Sequence, residues 1–585
     1  MTTNPLNHLS ERAAALTRRW FLSDCGIGLA DLCDLPSMKH LAMKHFLVAL
    51  LAFSLSPSVF AVEKPNIILI MADDMGFSDL GCYGSEIATP NLDSLAANGV
   101  RFTQFYNGAR CCPTRAQLLT GLYAHQAGIG FMEPTNAYNK PFKHIPEYQG
   151  FLNRRCVTLA EVLKSAGYQT FMCGKWHVGS AEGERPLDRG FDRFFGIHGG
   201  ASSFFHPKPG QIMDGREPLA HLPEDFYTTD YFAKYAAKFV REAKTDSPFF
   251  LYLAFTAPHW PLHAWPEDIA KYRGKYKDGW QKLREERFAR QKQLGIMPQD
   301  AELSPVHESS VKWKPEDAGS TDMDLRMAVY AAMIDRMDHG IGQVLAALRQ
   351  TNRFNNTLIL FLSDNGACAE SIGKGKADAK PADDPNSFQG VLLPWANASN
   401  TPFRQFKHWT HEGGIATPLI AHWPAGMASR SSQIVRTPAH IIDIMATCSD
   451  LAGAAYPKER DGQAIHPMEG ASLKPLLEGS GELPARTLFW EHEGNRAVRS
   501  GQWKLVAHYN ENLGDEDVAL GKRTGPWELY NLERDRTELH NLANQHPDIV
   551  TDLAAQHAAW EKRVGARDWE SLLKMGGLDV IKPKP

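Results

Sequence analysis

A chain of 585 residues is longer than one compact domain usually runs, so a large domain with a smaller companion is expected. Hydrophobic residues at 43% and charged residues at 22% are ordinary globular proportions, with enough apolar content for a substantial core. The formal net charge of -4 gives no electrostatic reason to expect nucleic acid, and leaves a small molecule as the expected partner.

In chain order, the first signal is an export leader. Lys44 and His45 precede an apolar run over 46–55, and Val59-Phe60-Ala61 supplies the small-residue cleavage pattern. This reads as a secretory signal cut after Ala61. The run is too short for the roughly 20 apolar residues of a membrane span, so no transmembrane segment is expected. A buried helix is the competing reading of the same run. The mature chain is expected to be exported, to the periplasm or beyond. Further upstream, Thr17-Arg18-Arg19-Trp20-Phe21-Leu22 is like a twin-arginine signal. Two export signals in series conflict, so the natural start is expected at Met38 or Met43. Residues 1–61 are thus an extension plus signal peptide. Seven of the nine cysteines follow the cleavage point, without a Cys-x-x-Cys pair.

Beyond the leader, short apolar runs at 66–71, 171–173, 249–255, 358–362 and 418–422 read as buried strands. Segments 91–98, 157–166, 231–243 and 327–348 carry apolar residues at helical spacing. The expected fold is α/β, a large mixed, mostly parallel sheet sandwiched by helices. Residues 272–314 are strongly charged with mixed signs and read as an inserted, solvated helical excursion. After about Leu477 short antiparallel strands are expected at 487–491, 495–499, 503–508 and 528–531, with a helix at 549–564. The expected domains are therefore 62–476 and a smaller C-terminal α+β domain, 477–585, built on a short antiparallel sheet.

Ligands in open α/β sheets bind beyond the carboxyl ends of the strands, and four of the five runs end in reactive groups. They lead into Asp73 and Asp74, into Lys175 and His177, into His259, and into Asp364 and Asn365. At the fifth run, Lys407 stands shortly before the strand. Asp73, Asp74, Asp364 and Asn365 offer only oxygen donors, the set a hard cation prefers, and adjacent carboxylates repel unless a cation neutralises them. Calcium tolerates irregular oxygen coordination better than magnesium and is the expected ion. Asp364-Asn365-Gly366 taken alone is equally a common turn.

Cys111-Cys112-Pro113-Thr114-Arg115 through Gly121 suits a helix that starts at Cys111 and stops at Gly121. Such an amino terminus attracts sulfate or phosphate, and Arg115 one turn along faces the same ligand. Cys-x-Pro-x-Arg followed by Thr-Gly resembles the signature of the type I sulfatases of the alkaline phosphatase superfamily, and the resemblance runs from about Pro65 to the C-terminus.

That resemblance implies a sulfuric ester hydrolase of the arylsulfatase type, with an alkaline phosphatase-like fold. It implies that Cys111 is oxidised to formylglycine by a formylglycine-generating or other sulfatase-maturing enzyme, and that the aldehyde hydrate attacks sulfur in an aryl or carbohydrate sulfate. A formylglycine oxygen at Cys111 would complete a Ca2+ shell of Asp73, Asp74, Asp364 and Asn365. Lys175, Lys407 and Arg115 go to the sulfate pocket, His259 protonates the leaving group with Lys175 in support, and His177 polarises the hydrate. Trp490-Glu491-His492-Glu493-Gly494-Asn495-Arg496-Ala497 and Trp527-Glu528-Leu529-Tyr530-Asn531 resemble the C-terminal domain of bacterial arylsulfatases. Two other readings compete: a phosphonate monoester or phosphodiester hydrolase, and a binding protein in which Cys111 stays a thiol.

Overall fold

The computed structural model describes residues 64–132, 142, 144–310, 312–316, 318–372, 380–427, 430–509 and 525–575. The leader and its cleavage point lie outside the described residues. Among the described residues no helix is long and apolar enough to cross a membrane, and no disulfide joins the seven cysteines.

The first strand, β1 (Asn66–Asp73), is buried along its whole length. Its side chains alternate between two cores, as the period of two requires. Ile68, Ile70 and Ala72 enter one hydrophobic cluster, and Ile67, Leu69 and Met71 enter the other. Around it runs an 11-stranded sheet. Its members are β2 (Val100–Tyr106), β3 (Gln169–Lys175), β4 (Arg193–Ile197), β5 (Met213–Asp214), β6 (Glu217–Pro218), β7 (Phe249–Pro258), β8 (Thr357–Ser363), β9 (Ala416–His422), β10 (Gln433–Val435) and β11 (Ala439–His440). The order is β10-β2-β9-β8-β1-β7-β3-β4-β5-β6, with β11 on β2. The central pairs β8/β1, β1/β7, β7/β3 and β3/β4 are parallel, whereas β9 is antiparallel to both β8 and β2.

Helices cover both faces, so the parallel centre sees no water. One core holds residues of α1 (Pro90–Ala97), α4 (Thr228–Glu242) and α6 (Ala318–Gln350), labels that follow chain order; the other holds residues of α2 (Cys111–Thr120), α3 (Leu159–Ser165) and α7 (Asp443–Ala452). This is the α/β sandwich the apolar runs predict. β2 escaped the apolar-run reading because Arg101, Thr103 and Gln104 interrupt it. Arg101 is nevertheless buried, its guanidinium donating to the Cys82 carbonyl at 2.8 Å.

The charged excursion contains the expected helix, α5 (Gly279–Gln293), but it is not solvated on all sides. Arg284 and Arg287 are fully buried. Arg287 bridges Asp79 at 2.6 Å and Glu86 at 2.9 Å, pairing that a count of mixed charges cannot reveal. Removing one partner of a buried pair strands the other, so Arg287→Ala is expected to lower unfolding free energy by about 3–5 kcal/mol in urea titrations. A loss below about 1 kcal/mol would contradict the pairing.

Toward the C-terminus a small hairpin, β12 (Glu459–Arg460) and β13 (Gln463–Ala464), precedes a four-stranded antiparallel sheet. Its strands run in the order β14 (Thr487–His492), β15 (Asn495–Ser500), β16 (Trp503–Ala507) and β17 (Glu528–Asn531). The last long helix, α8 (Pro547–Val564), packs Leu553 against Val498, Leu505 and Leu529. Trp490 Nε1 donates to the Asn107 carbonyl at 2.8 Å. This hydrogen bond ties the hairpin to the segment just before Cys111.

Candidate active site

β1 ends on Asp73 and runs into Asp74, β3 ends on Lys175, β7 ends one residue before His259, and β8 ends one residue before Asp364. The strands are neighbours in the order β8-β1-β7-β3, so residues separated by hundreds of positions meet at one edge of the sheet. Close approach of β3 and β7 needs glycine at 174. A Cβ there would stand 1.8 Å from the Ala254 carbonyl oxygen, and the backbone has φ +108°.

α2 brings Cys111 to this edge as its first residue, after an extended Arg110, and ends at Gly121 in the left-handed conformation. Cys111 is fully buried. Its thiol is held well below the ordinary range by the hydrogen bond with Cys112, against the pull of burial, and by the nearby charges of Lys175 and His177.

Asp73, Asp74, Asp364 and Asn365 are all buried. Asn365 Nδ2 donates to Asp74 Oδ1 at 2.7 Å and to the Gly366 carbonyl at 2.9 Å, which turns Asn365 Oδ1 the other way. Among the described residues, Asn365 Oδ1 and Asp73 Oδ1 have no hydrogen bond although both are buried. Asp73 Oδ1 has Arg115 Nη2 no nearer than 3.7 Å and Asn365 Oδ1 has no donor among the described residues, and buried oxygens so poorly served call for an occupant. Burial, with the Asp73 charge adding to it, pushes Asp364 up to about 7. An all-oxygen, net-anionic set of this kind fits a hard divalent cation.

The cations lie against the same acids. Lys175 Nζ is 2.6 Å from Asp73 Oδ2, and Lys407 Nζ is 2.9 Å from Asp74 Oδ2. Arg115 is fully buried and donates to Asp364 Oδ2 at 2.7 Å, to the Lys175 carbonyl at 3.0 Å and to Tyr252 Oη at 3.4 Å. Its guanidinium is directed at the carboxylate and the β3 backbone.

His259 Nδ1 is 2.6 Å from the Trp260 carbonyl, which only accepts, so Nδ1 carries the proton. Nε2 then presents its lone pair, 3.5 Å from Asp74 Oδ2. Burial, with Lys407 and Lys175 adding to it, pulls His259 down to about 4 despite Asp74. Asp74, His177 and His408 hold left-handed backbones, at φ 64°, 56° and 88°. Each costs a non-glycine residue about 1–3 kcal/mol, and such strain gathers where side-chain aim matters.

All ten predicted site positions fall on this edge or in the loops flanking it. Sequence reading missed Arg110 and Glu370, which pair at 2.9 Å, and His408, beside Lys407. Arg110 had a signal in its adjacency to Cys111; Glu370 lies in a stretch without periodicity and had none.

The Sulfatase family model matches residues 65–454, and the model for the C-terminal part of N-sulphoglucosamine sulphohydrolase matches residues 403–562. The chain is 36% identical to an arylsulfatase of Klebsiella aerogenes, over 71% of this chain and 92% of that one. It is 35% identical to an uncharacterised sulfatase of Schizosaccharomyces pombe, over 86% and 94%. Among solved structures, Ps i-CgsB matches with a TM-score of 0.63 at 26% identity, over 88% of this chain and 98% of that one. The fold is the alkaline phosphatase-like architecture, and the relatives are sulfuric ester hydrolases. The chain belongs to the sulfatase family.

Proposed function

We propose that this enzyme hydrolyses sulfate monoesters with a formylglycine made from Cys111 and a calcium ion held by Asp73, Asp74, Asp364 and Asn365. The observation that carries the reading is the convergence of a buried helix-initial cysteine, three buried carboxylates, an unbonded Asn365 amide oxygen and two buried lysines on one sheet edge. When present, formylglycine supplies a hydrated aldehyde as nucleophile and calcium supplies positive charge at the reacting oxygens.

The chain's own groups do the rest. Lys175 and Lys407 bring two positive charges to the sulfate, where charge grows in the transition state. Arg115 acts as a positioning residue, holding Asp364 and the end of β3. His177 accepts the proton released at position 111. The negative charge of a bound ester draws the His259 pKa back upward, so Nε2 gains a proton to hand to the departing oxygen.

Because Cys111 is fully buried once folded, its conversion belongs to the unfolded chain, and a formylglycine-generating or other sulfatase-maturing enzyme is the proposed partner. The leader motif supports export to the periplasm or beyond.

Peptide mass spectrometry of residues 111–115, after co-expression with a maturing enzyme, tests the reading; thiol alone in an active preparation would sink it. Faster turnover of an aryl phosphonate than of an aryl sulfate would replace sulfur with phosphorus as the target. For His259→Ala, kcat on an alkyl sulfate is expected to fall about 10²–10⁴-fold, and much less on 4-nitrophenyl sulfate, whose phenolate leaves without a proton. Equal losses on both esters would exclude the acid role.

A further inference from the structure

Asp74 is tied to the other acids through its side chain and its amide. Its carboxylate takes Asn365 Nδ2 at 2.7 Å and Lys407 Nζ at 2.9 Å, and its N–H donates to Asp364 Oδ1 at 3.2 Å. The carbonyl of Asp74 instead meets a residue outside the cluster. It accepts from Tyr330 Oη of α6 at 3.1 Å. The next amide, Met75 N–H, donates to Ser363 Oγ at 3.1 Å. Both ends of the Asp74–Met75 peptide are therefore pinned, one from α6 and one from the end of β8.

Tyr330 is itself held. It is 1% exposed, and its hydroxyl also donates to Asp79 Oδ2 at 2.8 Å, so one proton is shared between two acceptors. Asp79 accepts from the Gly76 amide at 2.8 Å and from Arg287 Nη1 of α5 at 2.6 Å. Arg287 Nη1 donates to Ser78 Oγ as well, at 3.1 Å, and that hydroxyl donates to the Ser399 carbonyl at 2.7 Å. A Cβ at Gly76 would stand 2.3 Å from the same Ser399 oxygen. The turn that follows Asp74 is thus packed against backbone and clasped by two helices, with no room to shift.

That clasp falls where the chain needs it. Asp74 has φ 64°, a conformation that a non-glycine residue keeps only when its surroundings impose it. A relaxed Asp74 would swing its carboxylate away from Asp364 and Asn365. We propose that Tyr330 is a positioning residue for the acid cluster: backed by Asp79 and Arg287, it braces the strained backbone of Asp74 and so sets how tightly the site holds calcium. This rests on the calcium reading above and adds to it a residue outside the ligand set. It also gives the charged excursion a role, since α5 supplies the far end of the brace.

The test titrates calcium chloride into the matured enzyme, stripped with EGTA and dialysed, by isothermal calorimetry. Tyr330→Phe removes one hydroxyl and keeps the ring. It is expected to weaken calcium binding by about 10-fold or more, the usual cost of losing a group that orients a metal ligand. Tyr83→Phe is the control, because that buried hydroxyl donates to the Phe102 and Leu419 carbonyls at 2.9 and 3.0 Å. It should lower the melting temperature of the calcium-free protein at least as much, yet leave calcium affinity unchanged. A measurement free of variants uses the wild-type enzyme. Coupling between ion and brace is reciprocal, so calcium should slow amide exchange at 284–291 of α5 by about 10-fold more than in β15. Wild-type calcium affinity in folded Tyr330→Phe, an equal loss of affinity in Tyr83→Phe, or exchange at 284–291 that calcium does not slow overturns the brace and leaves the calcium reading standing. A matured wild-type enzyme that takes up no calcium removes that reading, and the brace with it.

Discussion

Cys111→Ala is expected to lower kcat on an aryl sulfate by about 10⁴-fold or more, equivalent to about 5.5 kcal/mol of lost transition-state stabilisation. The side chain is small and the site fully buried, so alanine leaves the fold nearly intact. Lys175, Lys407 and the amino terminus of α2 stay in place, and the variant should still bind inorganic sulfate as a competitive ligand. The pair of results separates roles: retained anion binding with lost turnover assigns the nucleophile to position 111. Cys112→Ala serves as the control, since that thiol contacts Met132 Sδ at 3.6 Å and the Phe131 carbonyl at 3.8 Å. It should cost far less than its neighbour. Comparable losses at both positions would remove Cys111 from its assigned role.

Chelation is expected to be the second large effect. Treating the purified enzyme with EGTA should abolish turnover, and calcium should restore it more fully than magnesium, because the four proposed oxygen ligands, from two strand ends, would make an irregular rather than a strict octahedral site. The same ion should stabilise the fold. Asp73, Asp74 and Asp364 are buried together, against Lys175, Lys407 and Arg115 respectively, and an added cation would offset the cost of burying three carboxylates side by side. Calcium at about 1,000 times its dissociation constant should raise unfolding free energy by about 4 kcal/mol. Asp364→Ala should abolish the calcium response and destabilise the protein by about 3–5 kcal/mol, since it strands the fully buried Arg115. An enzyme indifferent to EGTA in both activity and melting temperature would refute the metal site.

Much of this architecture was legible before any coordinates. The apolar runs at 66–71, 249–255 and 358–362 became β1, β7 and β8 because a strand buried on both faces must be apolar throughout. Gly121 marked the end of α2 because only a left-handed residue closes that helix cheaply. Acids, lysines and histidines clustered just after those runs, and the rule that ligands bind beyond strand carboxyl ends placed them together.

Other features depended on contacts between segments distant in sequence. Arg287 looks like one more charge on a solvated helix until α5 docks it between Asp79 and Glu86. Arg115 reads as a sulfate-facing cation by helical spacing, yet the fold directs its guanidinium to Asp364 and Tyr252. His492 lies more than 300 residues after Cys111 in the chain, and only the Trp490–Asn107 hydrogen bond and the hairpin turn bring it alongside. Local sequence thus determined where strands, helix ends and reactive side chains occur, because propensity, periodicity and capping act over a few residues. Partner choice among buried charges and the unbonded amide oxygen of Asn365 were decided by the tertiary structure, because burial and pairing are properties of the packed chain.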